Sequence, residues 1–239
     1  MRPFDFTPYR GLVWRFVEDQ NTSSTMKLVD SIDEQRILEE LLDDTKPPVP
    51  VACQHLHYLQ FTPFRYPAHH ATRFRERGGR EGVFYASEAL ETSAAEVAFY
   101  RILFFWESPE TEPPSDPFEM TAFACKVQSD VAVDLVPEQI DPATDRFMDP
   151  VDYTDCHRLA RDARERSVQV IRFRSVRDRE HRANVAVLDC AAFAESHIRQ
   201  QEGWWFRFGP KGLFAVKRFG EGRMEFNYDQ FERDPRINI

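Results

Sequence analysis

The segment Gly82–Tyr100, GVFYASEALETSAAEVAFY, changes from strand composition to helix composition within a few residues. Its first part, Gly82–Ala86, is aromatic and β-branched and begins at a glycine, which is typical of a strand. The chain beyond it is rich in Ala, Glu and Leu, and Glu91 places an acid in the first turn, where the helix dipole favours it. The segment therefore predicts a strand followed directly by a helix at about 89–103.

Short strands and a few helices surround this unit. Ser31-Ile32-Asp33-Glu34 matches a capping box, and apolar residues up to Leu42 follow at helical spacing, which predicts a helix. Prolines and acids predict an exposed loop at 107–117. Further strands are predicted at 11–17, 55–61, 118–127, 131–136, 168–173, 184–188, 205–208, 212–216 and 224–226, and further helices at about 152–164 and 191–201. Because strands outnumber helices and do not alternate regularly with them, we expect one α+β domain with a mixed or antiparallel β core decorated by helices.

The composition limits the classes of partner. The chain has 239 residues and a net charge of −9, since 40 Asp and Glu outweigh 31 Lys and Arg. An acidic chain is disfavoured as a nonspecific binder of nucleic acid or of a membrane surface. No apolar run approaches the roughly 20 residues that cross a bilayer, and Met1–Phe6 has a proline and an acid where a secretory signal is apolar. We therefore expect a cytoplasmic protein without direct nucleic-acid or membrane partners.

The cysteines carry a separate prediction. Cys53, Cys125, Cys156 and Cys190 are widely spaced and form no C-x-x-C pair. Neither a zinc knuckle nor a disulfide framework has support from this spacing. We therefore expect four buried, reduced thiols.

Arginine is concentrated in two short segments of this acidic chain. The segments span 65–80 and 172–182, and their arginines are Arg65, Arg73, Arg75, Arg77 and Arg80 in the first and Arg172, Arg174, Arg177, Arg179 and Arg182 in the second. Because the guanidinium fork matches phosphate oxygens, two such clusters favour a small phosphorylated ligand over a polymer. The alternative is two solvated faces whose local partners are the interleaved acids Glu76, Glu81, Asp178 and Glu180.

A competing constellation has the residue types of a metal site. It consists of Cys53-x-His55-x-His57 with His69-His70 nearby. On a strand, alternate side chains point the same way and would gather such ligands. No acid follows at close spacing, and histidines on strands more often pack or face solvent than bind metal. We therefore expect no metal, with this cluster as the alternative.

Four motifs, in order, resemble the RES domain, a family named for its Arg, Glu and Ser. They are Thr72-Arg73-Phe74 followed by Gly82–Ser87, then Glu91–Val97, Arg174–Val176 and Asn184–Asp189. The stretches Trp14–Gln20, Lys27–Asp30 and Asp33–Gln35 resemble the longer members. The first motif departs from the commoner glycine-arginine-tryptophan-asparagine version. The resemblance extends over about residues 11–195.

The resemblance implies a function and an organisation. It implies the toxin half of a bacterial type II toxin–antitoxin pair, with a fold resembling NAD-consuming mono-ADP-ribosyltransferases. NAD+ is then the co-substrate, a cellular protein receives ADP-ribose, and an Xre-type helix-turn-helix antitoxin covers the active site in a hetero-oligomer. Residues 1–50 form an N-terminal strand-and-helix extension, 51–227 the RES domain and 228–239 a C-terminal tail.

The resemblance also assigns site residues. Glu96 stabilises the oxocarbenium-like ribosyl cation that forms when nicotinamide leaves. Tyr85 stacks on the nicotinamide, and Arg73 binds the pyrophosphate or the nicotinamide ribose. Ser175 contributes one hydrogen bond near the ribose or the nicotinamide amide. The expected cofactor-binding set is completed by Arg65 and Asn184.

Two other functions remain open on the same residues. One is an NAD+ hydrolase or phosphorylase, which differs only in the group that attacks the ribosyl cation. The other is a catalytically silent nucleotide-binding module. Without the family, Glu96 is an ordinary helical glutamate, Tyr85 a core tyrosine and Ser175 a loop hydroxyl.

Overall fold

The computed structural model describes residues 6–19, 28–136 and 142–237. Its strands are β1 Thr7–Glu18, β2 Phe84–Ser87, β3 Phe118–Asp134, β4 Val170–Arg174, β5 Ala183–Val187, β6 Gln200–Gly209, β7 Gly212–Lys217 and β8 Arg223–Asn227. Its helices are α1 Ile32–Asp44, α2 Tyr58–Arg65, α3 Leu90–Trp106, α4 Pro142–Asp145 and α5 Thr154–Glu165. Some residues used in the sequence predictions lie outside the described residues. They are Met1–Asp5 at the N-terminus, Gln20 and Lys27 of the family resemblance, and 238–239 of the predicted tail.

The eight strands form one mixed sheet in the order β1-β2-β5-β4-β3-β6-β7-β8. A further pairing of β1 with β3 closes the first five strands of this order into a ring. The β3–β4 pair is parallel, whereas the neighbouring pairs are antiparallel. The predicted α+β class with a mixed β core is confirmed.

Strand β3 connects the ring to the β6–β8 meander. It pairs with β1 along most of its length, with β6 through Phe118–Ala124 and with β4 through Ala132–Asp134. Met120–Cys125 are buried without alternation, because this part of the strand is covered on both faces. The sequence predicted two strands here, but the continuous ladder to β1 makes them one.

Two helices cover the sheet through small and apolar residues. Helix α3 buries Ala94, Ala98, Phe99 and Ile102 in a cluster that includes residues of β6–β8. Helix α5 buries its face of Cys156, Leu159, Ala160 and Ala163, as its spacing predicted. Both helices lie where the sequence predicted them, and three of their four ends are within about two residues of the predicted position.

The predicted strand at 55–61 is wrong, because a polar cap starts helix α2 there. The His57 ring accepts a hydrogen bond from the Leu59 amide at 3.3 Å, and the Gln60 side chain accepts one from the His57 amide at 3.1 Å. This reciprocal capping box satisfies two orphan helix donors. Next to the helix, Gly82 lets Phe64 approach, since a Cβ would lie 2.3 Å from the Phe64 Cα.

The predicted helix at 191–201 is also wrong. Only a short 3-10 turn, Cys190–Ala192, forms, with the Asp189 carboxylate accepting from the Ala191 amide. The Ala194 and Arg199 amides donate to carbonyls of β3 at 3.0 and 2.7 Å. Because these amides donate to β3, they are not available for the backbone hydrogen bonds of a helix.

The expectation of four reduced thiols is wrong for one pair. Cys53 and Cys190 form a disulfide between two 3-10 turns, with their Cα atoms 5.4 Å apart. The two cysteines are 137 residues apart in sequence, so only the fold brings them together. Cys125 and Cys156 are free and buried, as expected. Among the described residues, no helix is long and apolar enough to cross a membrane.

Candidate active site

A cleft of about 700 Å³ opens beside the end of strand β1. Strand β1 meets β2 through the pair Trp14 with Ser87, and the following β1 residues, Arg15–Glu18, line the cleft. The other walls come from β2, α3 and the segments around Thr72, Tyr153 and Arg177. The volume lies in the range of small-molecule sites.

One face of helix α3 lines this cleft. The residues follow one another at helical spacing: Ser93, Glu96, Val97, Tyr100, Arg101 and Phe104. The opposite face is the buried alanine-rich surface described above. Core packing of one face therefore fixes the direction of the other.

Glu96 is held by two side chains from different elements. Ser175 Oγ donates to Glu96 Oε1 at 2.7 Å, and Asn184 Nδ2 donates to the same oxygen at 2.6 Å. Asn184 in turn accepts a hydrogen bond from the Ser87 hydroxyl at 2.6 Å. Both contacts end on Oε1, which fixes the carboxylate and leaves Oε2 for another partner. Such fixed orientation is what an electrostatic catalyst needs.

Ser175 is fully buried and does not line the cleft. Its hydroxyl accepts hydrogen bonds from the Arg177 and Asp178 amides, each at 3.1 Å, so its single proton is directed to Glu96. The structure therefore brings Ser175 to the predicted glutamate and away from direct contact with a ligand. Its geometry suits a positioning group.

Tyr85 lines the cleft with its hydroxyl anchored behind it. The Phe74 amide donates to the Tyr85 oxygen at 2.8 Å, and the Thr72 hydroxyl lies 2.9 Å away. Burial raises the pKa of Tyr85 to about 12, although the hydrogen bonds from Thr72 and Phe74 oppose the shift. The phenol is therefore neutral at physiological pH, and its ring is rigid.

Arg73 lies against the same wall as Tyr85. Its side chain is buried over the rings of Tyr153 and Phe173, with its guanidinium carbon 4.9 and 5.9 Å from their centroids. It donates to the Phe147 carbonyl, and no carboxylate of the described residues lies within ion-pair distance of it. A cation in a cleft without an acid partner is suited to an anionic ligand.

Arg15 has the same property, and the sequence reasoning missed it. Its Nη1 donates to the Tyr85 carbonyl at 2.8 Å, and its Nε has no hydrogen-bond partner among the described residues. Burial lowers the pKa of Arg15 to about 10, so the group is still charged at neutral pH. The available signal was an arginine alone in the apolar run from Val13 to Val17.

Arg177, also in the cleft wall, is tied to the C-terminal segment. Asp234 accepts from it at 2.7 Å, and both side chains are almost completely buried. Arg236 binds the same carboxylate, and the Pro150 carbonyl accepts from Arg177 and Arg236 at 2.9 and 3.3 Å. The segment containing Asp234 therefore supports one side of the cleft, which no sequence pattern indicated.

The residues that line the cleft carry a net positive charge, whereas the net charge of the whole chain is negative. The lining includes four arginines and two glutamates, against −9 for the whole chain. The arginines are Arg15, Arg73, Arg101 and Arg177, and the glutamates are Glu18 and Glu96. A locally positive, partly apolar cavity attracts phosphorylated ligands.

Most of the clustered arginines lie elsewhere. Arg65 is not part of the cleft lining and donates to the Pro47 carbonyl. Arg172 is paired with Glu88 and Asp134, Arg179 is paired with Asp229, and Arg182 is paired with Asp178. These three arginines are therefore paired with acids of the chain, which is the alternative to ligand binding that the sequence left open.

Two of the five alternative metal ligands are engaged in other interactions. Cys53 is in the disulfide, and the His57 ring caps α2. Within residues 6–19, 28–136 and 142–237, no group of three or more His, Cys, Asp or Glu side chains is placed to hold a metal ion. The convergence expected from a strand does not occur, because α2 replaces that strand.

Fold and site together define an α+β protein with a fixed carboxylate in a cationic cleft. Residues 49–209, more than half of the chain, match the family model of the RES domain. The chain belongs to the RES domain family, which confirms the identification made from the motifs. No curated protein matches it. Among solved structures, it is similar to the M. tuberculosis MbcT-MbcA toxin-antitoxin complex, with a TM-score of 0.49 and 10% identity over 82% of this chain and 85% of that one.

Proposed function

We propose that this RES-domain protein is the toxin of a toxin–antitoxin pair, and that it consumes NAD+ and transfers ADP-ribose to a cellular protein. The single observation that carries the enzymatic part is the Glu96 carboxylate, held on one oxygen by Ser175 and Asn184 inside a cationic cleft. Family membership supports the toxin part, because RES domains are known as toxin halves of such pairs.

The residues present fit a dinucleotide. Arg15 and Arg73 have no carboxylate partners among the described residues, and the Arg15 Nε is a buried donor without an acceptor. A pyrophosphate supplies the acceptors that these groups lack. Tyr85 adds an aromatic ring, and the cavity has room for a ligand of this class.

The chemistry that the substrate supplies is an N-glycosidic bond whose cleavage leaves positive charge on a ribose. Glu96 faces that charge with a carboxylate already fixed in place, so little reorganisation is needed as the charge develops. Ser175 and Asn184 act through Glu96, since both donate to its Oε1. Tyr85 holds the departing ring in place, and its raised pKa keeps it neutral.

The decisive variant is Glu96→Gln, which keeps the shape and removes the charge. NAD+ binding should survive, while nicotinamide release falls by about 10²- to 10³-fold. The matched control is Glu91→Gln, an exposed glutamate of the same helix that does not line the cleft. A folded Glu96→Gln protein with the wild-type rate would remove Glu96 from the catalytic role, whereas wild-type protein that binds NAD+ without releasing nicotinamide would support a nucleotide-binding module.

Labelled NAD+ also identifies the acceptor. Label on protein supports transfer, whereas free labelled product with nicotinamide shows hydrolysis or, with phosphate, phosphorolysis. The transfer proposal fails if no protein is labelled in a lysate while nicotinamide is released.

The proposal includes a partner inside the same cell. We expect an Xre-type helix-turn-helix antitoxin that covers the cleft in a hetero-oligomer and supplies the DNA binding that this acidic chain is not suited to. Expression of the lone chain should arrest growth, and the antitoxin should restore it. Healthy cells that contain abundant, NAD-active lone protein would contradict the toxin role.

A further inference from the structure

Two large aromatic side chains of α3 are exposed within the cleft. Tyr100 is 51% exposed and Phe104 55% exposed, and both belong to the lining. They lie one and two turns beyond Glu96 on the same face. The neighbouring Phe99, in contrast, is completely buried. Exposed aromatic surface in a concave site is typical of a ligand contact.

The two rings are held in place. Tyr100 packs edge-to-face on Phe99 with centroids 5.1 Å apart, and Phe104 packs on Phe105 at 5.0 Å. Burial of the Tyr100 hydroxyl, with the nearby Tyr153 phenol and Glu96 carboxylate, raises the pKa of Tyr100. The Tyr100 ring packs on one side while about half of the residue surface stays open. A rigid ring loses little entropy when a second ring stacks on it.

Along the face of α3 that lines the cleft, the Glu96 carboxylate is followed by the rings of Tyr100 and Phe104. With a rise of about 1.5 Å per residue, Tyr100 lies about 6 Å and Phe104 about 12 Å from Glu96 along the helix axis. An ADP-ribose unit carries a ribose at one end and the adenine base at the other, which matches a carboxylate followed by rings.

Arg101 and Arg177 also line the cleft, but they are paired with Glu18 and Asp234. The phosphates of ADP-ribose match the guanidinium groups of Arg15 and Arg73, which have no carboxylate partner within the part of the chain that the structure describes.

We propose that Tyr100 and Phe104 form the stacking surface for the adenine base of the dinucleotide. The inference rests on the proposed function, since it takes the ribose next to nicotinamide to contact Glu96. Arg15 and Arg73, which line the same cleft without carboxylate partners among the described residues, favour a phosphorylated occupant over an apolar protein segment.

The test compares ADP-ribose, which carries adenine, with nicotinamide mononucleotide, which carries the nicotinamide ribose and a phosphate but no adenine. Binding of ADP-ribose and of nicotinamide mononucleotide is measured by calorimetry for wild type and for Phe104→Ala. Loss of one base–aromatic stack should weaken ADP-ribose binding by about tenfold or more, whereas the affinity for nicotinamide mononucleotide should stay within about twofold. Phe104→Trp should restore ADP-ribose binding, because it restores an aromatic surface.

The matched control is Phe219→Ala, which removes a 77% exposed phenylalanine outside the cleft lining. Unchanged ADP-ribose affinity in Phe104→Ala overturns the inference, and so does an equal loss for both ligands. If wild-type protein binds neither NAD+ nor ADP-ribose, the proposed function itself fails. If wild-type protein binds ADP-ribose and Phe104→Ala binds it with the same affinity, only the proposed stacking surface is refuted.

Discussion

Arg15 and Arg73 differ from Arg172 and Arg182 in what their guanidinium groups contact. The first two line the cleft and donate to backbone carbonyls, without a carboxylate partner among the described residues. Arg172 binds Glu88 through two hydrogen bonds, and Arg182 binds the carboxylate of Asp178 in the same way.

This difference separates ligand binding from fold stabilisation. A buried arginine without an acid partner is costly for the folded state and is retained where a ligand supplies the anion. An arginine that is already paired contributes to structure. Clustering in sequence does not distinguish the two cases, since Arg73 and Arg172 each come from a cluster of five arginines.

The largest expected effect is at Asp234, the extreme example of a paired site. Asp234→Asn leaves the buried Arg177 and the partly exposed Arg236 beside a neutral amide. Removal of one partner of a buried ion pair typically costs about 3–5 kcal/mol. Denaturant unfolding should show a loss of this size at neutral pH. A variant as stable as wild type would show that the cluster does not support the C-terminal segment.

The same carboxylate predicts acid sensitivity. Burial would raise the pKa of Asp234, but the Arg236 hydrogen bonds and the charges of Arg177 and Arg236 outweigh it, so the pKa lies below the usual 3.8. Its contribution to stability is complete above 3.8 and is lost as the pH falls below that value. Asp234→Asn should therefore lose less stability than wild type on acidification, measured by unfolding at a series of pH values.

The next effect is on binding and concerns Arg73. Arg73→Lys keeps the charge but loses the planar fork and its stacking on Tyr153 and Phe173. Affinity for NAD+, measured by calorimetry, should fall by about 10- to 100-fold. The loss of stability should be smaller than at Asp234, because no partner charge is left unpaired. Equal affinity of the two proteins would remove Arg73 from the site.

Arg172→Met should give the opposite result. It leaves Glu88 and Asp134 without their shared cation at a partly exposed position, so stability should fall by about 1–2 kcal/mol. NAD+ affinity should stay unchanged, since Arg172 does not line the cleft. Weaker NAD+ binding by a fully folded Arg172→Met protein would contradict the division between the two groups.

The smallest effect is expected at Arg179. Its ion pair with Asp229 is exposed on both sides, at 55% and 62%. Such pairs contribute little because water and salt screen them. Arg179→Ala should change the free energy of unfolding by less than about 0.5 kcal/mol and leave NAD+ binding as it is. This variant is the surface control for the other arginine substitutions.

The sequence alone determined the elements whose signals are local. The strand and helix of Gly82–Tyr100 and the apolar face of α5 follow from composition and spacing, which act over one or two turns. The motifs also identified the family and named Glu96, Tyr85, Arg73 and Asn184, which the structure places around one cleft.

Only the tertiary structure decided what depends on contacts between distant segments. Helix α2 depends on its cap and on the hydrogen bond from Gln60 to the Glu195 carbonyl. The strand that begins at Gln200 depends on its pairing with Ala124 of β3, and the Cys53–Cys190 disulfide joins residues 137 apart.

Arg15 and Asp234 were not predicted for the same reason, since nothing near them in sequence shows that β1 forms a wall of the cleft or that the C-terminal segment supports another through Arg177. Local periodicity specifies which face of an element is buried, whereas the partner of a charged group is a property of the assembled chain.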